Sequence, residues 1–129
     1  MSPGGYSGKP LIEKLGYKPG DLIYSIDLPK DISDYFIVSG LTLVDTMPAT
    51  WLHGCFMSKQ TAEEFAKNTT FDTIEKGLWL SWPKRASNVP TDLTEQTFRD
   101  ILLPMGWVDT KVAAIDQTWS GLKFLRRKT

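Results

Sequence analysis

One short stretch, Gly77-Leu78-Trp79-Leu80-Ser81-Trp82-Pro83-Lys84-Arg85, constrains the fold of this chain more than any other. Leu78, Leu80 and Trp82 fall on one side of an extended chain and Trp79 on the other, so both faces need cover. That pattern predicts a strand in the middle of an α/β sheet, with helices above and below it. Pro83 has no N–H to give and ends the ladder. Lys84, Arg85 and Ser87 then fall beyond the carboxyl end of a central strand, the place where open α/β sheets bind ligands.

A chain of 129 residues is long enough for one core and short for two, so residues 1–129 are expected to form a single domain. No apolar run reaches the roughly 18 residues of a membrane span, and residues 1–15 lack the basic start and apolar centre of a secretory leader. A soluble, cytoplasmic protein with no membrane partner is the expectation. Fifteen basic and fifteen acidic side chains cancel, which leaves no global field to draw in nucleic acid. Cys55 is the one cysteine and His53 the one histidine, so neither a disulfide nor a zinc site of paired cysteines can form within the chain. No metal and no bound cofactor is expected.

Residues 1–8, with three glycines, read as a flexible arm, and Ser7 as the cap of a helix through Leu11, Ile12 and Leu15 that Gly16 stops. After a Lys-Pro-Gly turn, residues 22–26 alternate as a first strand. A helix over 32–39 with Asp31 as cap, a strand over 41–44 and a strand over 51–57 follow. Ser58 caps a helix to about residue 67, and 71–76 reads as a further helical turn. Beyond the central strand, Asp92 and Glu95 read as a capping-box pair for a helix carrying Phe98, Ile101 and Leu102. Residues 108–115 and 119–125 are two strands whose three-residue link permits only a hairpin. The order predicts a Rossmann-like three-layer α/β domain, mostly parallel, with an antiparallel C-terminal hairpin.

Several segments look like sites and are explained more simply. Gly4 to Pro10 has the glycines of a phosphate loop, but its spacing is one residue short, and no strand precedes it. A dinucleotide loop needs glycines directly after the first strand, where Asp27-Leu28-Pro29-Lys30-Asp31 has none. Asp27 reads as a turn former, and Cys55 beside His53 as a buried thiol. Arg126, Arg127 and Lys128 read as charge guarding an edge strand. The candidate ligand site is the strand-end loop with the start of the hairpin. There Lys84 and Arg85 supply charge, Ser81, Ser87 and Ser120 hydroxyl groups, and Trp82 and Trp119 apolar walls. It requires the hairpin strand to begin at the end of the sheet where the central strand stops.

Three blocks carry a family resemblance: Gly5-Tyr6-Ser7-Gly8-Lys9-Pro10-Leu11 with Leu15-Gly16-Tyr17-Lys18-Pro19-Gly20, Leu80 to Ser87 with Thr91-Asp92-Leu93-Thr94-Glu95, and Asp116 to Lys123. Together they resemble a bacterial family known as a domain of unknown function, which implies no activity and no catalytic residue. More distantly, the Lys-Pro-Gly turn and terminal hairpin look like a shortened class I methyltransferase, whose glycine loop is missing here. The leading expectation is a non-catalytic or catalytically unassigned domain binding a small anionic ligand or a protein partner. The alternative is an S-adenosylmethionine-dependent methyltransferase with a degenerate cofactor loop.

Overall fold

The computed structural model describes residues 10–128, so the arm and the Ser7 cap lie outside the described residues. Short helix α1 (Leu11–Leu15) leads through the Lys-Pro-Gly turn into strand β1 (Leu22–Ile26). Helix α2 (Lys30–Val38), the short strand β2 (Thr42–Val44) and strand β3 (Ala49–Cys55) follow. Helix α3 (Lys59–Asn68), the long strand β4 (Ile74–Pro83) and helix α4 (Glu95–Leu102) come next. Strands β5 (Trp107–Ala114) and β6 (Trp119–Arg126) close the chain as a hairpin.

The six strands form one sheet in the order β2-β1-β3-β4-β6-β5. β2, β1, β3 and β4 run parallel, while β6 pairs antiparallel with both β4 and β5. This is the mostly parallel α/β sheet with an antiparallel hairpin that the alternation of elements predicts. Because β1 leads outward to β2 while β3 lies on its other side, the order reverses between β1 and β3.

Strict alternation divides the interior into two cores. Leu52 of β3 and Leu78, Leu80 and Trp82 of β4 face α3 and α4, where Phe65 and Phe98 meet them. Trp51 of β3 and Trp79 of β4 face the other way, toward Leu15 of α1 and Phe36 of α2. The central strand is therefore covered on both sides, as its sequence demands. Burying a large side chain of this kind contributes roughly 1.5–3 kcal/mol, so these two layers carry most of the folding energy. Gly77 lets β6 approach β4: a Cβ there would lie 2.6 Å from the Phe124 carbonyl oxygen.

Four local expectations are corrected. Residues 71–76 do not add a helical turn, since β4 begins at Ile74, whose side chain is buried against the α3 side and whose register partner is Ala49. α2 starts two residues earlier than expected, with Pro29 as its cap and Asp31 inside the first turn. The capping box of α4 is Thr94 with Thr97. The basic C-terminal cluster follows an inner strand, because β5 forms the edge; the Arg126 guanidinium lies over the Trp107 ring and donates to the Phe71 and Ile74 carbonyls. A planar cation over an indole face is attracted by the ring quadrupole. No helix of the described residues is long and apolar enough to cross a membrane.

Candidate functional site

Pro83 pairs with Trp119, and Trp82 with Ser120, so β6 begins at the end of the sheet where β4 stops. Residues opposite one another in an antiparallel pair share a face. Trp82 and Ser120 accordingly look toward α4, while Ser81, paired with Gly121, looks toward α1 and α2.

On the α4 side, an open groove of about 640 Å³ lies beyond the end of β4. Its walls are Trp82, Pro83, Lys84 and Arg85, the loop of residues 88–95, and Ser120. Of the residues singled out in sequence, Trp82, Lys84, Arg85 and Ser120 meet in this groove, and Ser81, Ser87 and Trp119 do not line it. The missing ones follow from alternation. Ser81 and Trp119 are strand neighbours of Trp82 and Ser120, so they point through the opposite face. Trp119 packs against the core containing Trp51 and Trp79.

Ser87 builds the loop. Its hydroxyl donates to the Lys84 carbonyl at 2.7 Å and accepts from the Val89 N–H at 3.2 Å. Asn88 follows with φ +63°, a left-handed conformation that asparagine tolerates better than most residues. Thr91 Oγ1 donates to the Met57 carbonyl at 2.7 Å, and Asp92 Oδ1 accepts from the Lys59 N–H at 2.8 Å. Asp92 thus serves the start of α3 and not the α4 cap expected of it. The loop is fixed by its own side chains at both ends, which lowers the ordering cost of binding anything in the groove.

Lys84 and Arg85 form no ion pair or side-chain hydrogen bond among the described residues, although both line the groove. The carboxylates there are partly committed: Glu95 pairs with Arg99 at 2.9 Å, and Arg99 also holds Asp109 at 2.8 Å. Sequence reasoning missed the contribution of residues 88–95. The usable signal was a long polar loop directly after a central strand.

The polar residues of the other face form a closed chain. Tyr17 Oη lies 2.8 Å from His53 Nδ1, and His53 Nε2 lies 3.0 Å from Ser81 Oγ. His53 and Ser81 are fully buried, and burial pushes the imidazole down to about 3, so it is neutral. Burial raises the Tyr17 phenol and the Cys55 thiol, the latter partly offset by a hydrogen bond from Ser81. With a neutral imidazole, a protonated thiol and no exposure, this chain is a satisfied part of the core. The described residues contain no cluster of three or more metal-ligating side chains.

Fold and groove define a Rossmann-like α/β domain with a polar cleft beyond its central strand. No family model matches the sequence, and a search of curated proteins finds no match. Solved structures do match. A SAM-dependent methyltransferase from Aquifex aeolicus superposes with a TM-score of 0.56 at 10% identity, over 90% of this chain and 87% of that one. Aeropyrum pernix fibrillarin, solved with natively bound S-adenosyl-L-methionine, gives 0.50 at 10% identity, over 84% of this chain and 67% of that one. A NADB-Rossmann superfamily protein from Streptococcus agalactiae gives 0.49 at 12% identity over 92% of this chain, which spans 56% of its length. On the first two of these the fold is that of methyltransferase-like Rossmann proteins, and at such identities the likeness concerns the fold alone.

Proposed function

We propose that this domain binds a small anionic ligand in the groove beyond β4, with Lys84 and Arg85 as the anion-holding pair. One observation carries the reading: two adjacent cations without a side-chain partner among the described residues line a cleft at the carboxyl end of a central strand. Arginine offers a planar fork of donors and lysine a compact charge, a combination suited to carboxylate or phosphate. The test is calorimetric titration of the full chain with inorganic phosphate, succinate and adenosine monophosphate. At least one should bind saturably, and replacing Lys84 and Arg85 together by alanine should weaken it by about tenfold or more while leaving thermal unfolding unchanged. Equal binding by the double variant, or no binding of all three at millimolar concentration, refutes the reading.

A second reading, S-adenosylmethionine-dependent methyl transfer, draws on the reversal of strand order between β1 and β3, a crevice that Rossmann-like sheets use for nucleotides. Asp27 at that point has φ +54°, an uncommon backbone for a residue other than glycine. Against it, Leu28 and Pro29 occupy the three-residue turn before α2, and Leu28 packs into the core. S-adenosylmethionine at millimolar concentration should accordingly leave the melting temperature unchanged. A ligand at a hundred times its dissociation constant stabilises by about 2.7 kcal/mol, so a saturable rise would be plain and would favour this second reading.

A further inference from the structure

The groove draws charge of opposite sign from the two ends of one loop. Lys84 and Arg85 stand where the chain leaves β4, and Asp92 and Glu95 stand where it approaches α4. One oxygen of each carboxylate is committed, Asp92 Oδ1 to the Lys59 N–H and Glu95 Oε2 to Arg99, and the second oxygen of each has no partner among the described residues. No ion pair joins either cation to either carboxylate, so the two sets of charge flank the same open volume of about 640 Å³ without cancelling.

Such an arrangement sets a field along the cleft. A simple anion is attracted at one end and repelled at the other, whereas a ligand with charge of both signs gains at both. Between the charged ends lie Asn88 and Ser120, whose side chains make no hydrogen bond among the described residues, together with apolar wall from Val89, Pro90 and Leu93. An amide and a hydroxyl can match the donors and acceptors of a peptide backbone.

We infer that the ligand is a short peptide with free termini, its carboxylate against Lys84 and Arg85 and its ammonium against Asp92 and Glu95. This rests on the anion-binding reading above and narrows it to a zwitterion. The volume falls within the roughly 300–1,000 Å³ of small-ligand sites.

The test titrates the full chain with triglycine, N-acetyl-triglycine, which lacks the ammonium, and triglycinamide, which lacks the carboxylate. Triglycine should bind about tenfold or more tightly than either blocked form. The paired variant Asp92→Asn and Glu95→Gln keeps carbonyl oxygens to accept from the Lys59 N–H and from Arg99 while removing both charges. It should abolish the preference for triglycine over the acetylated peptide and tighten binding of the acetylated one. Equal or tighter binding of N-acetyl-triglycine by the unaltered protein overturns the inference, as does an unchanged ratio in the paired variant or no binding of any peptide. If the preference for triglycine is missing while the acetylated peptide or phosphate binds and alanine at Lys84 and Arg85 abolishes that binding, the zwitterion inference fails while the anion site stands. If those alanines change nothing, both fall.

Discussion

Trp79 links the central strand to the first helix, and its removal tests the whole arrangement of layers. The side chain is fully buried in the core that α1 and α2 cover, and its indole N–H donates to the Leu15 carbonyl at 2.8 Å. Leu15 is the last residue of α1, so this bond satisfies one of the carbonyls that a helix end leaves without a partner. Trp79→Ala empties a large aromatic site, costing about 3–5 kcal/mol, and leaves that carbonyl without its donor at a further cost of about 1 kcal/mol. The sum approaches the total stability of many domains, about 5–15 kcal/mol. Trp79→Phe keeps a ring but loses the donor and part of the volume, and should cost about 1–3 kcal/mol. Urea titration of both variants reads these values from the midpoints if the slopes agree with the unaltered protein. A loss under about 1 kcal/mol for the alanine variant, the range of surface substitutions, would refute the placement of β4 at the centre. Equal losses for the two variants would refute the claim that volume dominates the hydrogen bond.

Acid should destabilise the protein through His53: burial holds its imidazole down to about 3, below the ordinary 6.5 of the unfolded chain, so the unfolded chain takes up the proton first. This contribution is fully present above pH 6.5 and declines toward pH 3, by an amount on the order of 5 kcal/mol, which urea titrations across that window would detect as a falling midpoint. A buried neutral histidine keeps its imidazole signal in proton NMR unchanged between pH 7 and 5 while the midpoint falls; a normal titration near 6.5 together with a midpoint independent of pH refutes the burial. Gly77→Ala should cost more than about 1 kcal/mol in thermal unfolding, because its Cβ meets the Phe124 carbonyl oxygen at 2.6 Å; an unchanged melting temperature would mean that β4 and β6 are not so close. Asp92→Ala should cost about 0.5–2 kcal/mol by exposing the Lys59 N–H at the start of α3, and a neutral result by the same measure would remove Asp92 from that role.

The groove shows where sequence reading stops. Lys84 and Arg85 could be placed beyond a central strand from the apolar run and Pro83 alone, and Trp82 and Ser120 do join them there. Closeness in sequence groups Ser81 and Trp119 with these residues, although strand alternation sends them to the other face. The face each of these two residues takes is legible in the sequence alone. The role of Asp92 was not legible, because the Lys59 N–H it serves is 33 residues away and is brought near only by packing α3 beside α4.

Outside residues 71–76, the sequence by itself determined the identity and order of the main helices and strands, since apolar periodicity, caps and turn residues act over a few neighbouring positions and need no partner. It also determined that β4 is covered on both faces, because Leu78, Trp79 and Leu80 leave no side fit for water. Only the tertiary structure decided that β6 lies between β4 and the edge, that Tyr17, His53 and Ser81 join into one buried chain, and that the two cations have no carboxylate partner among the described residues. These depend on contacts between segments far apart in the chain, which form when two apolar faces are buried at once and are encoded in no single stretch of residues.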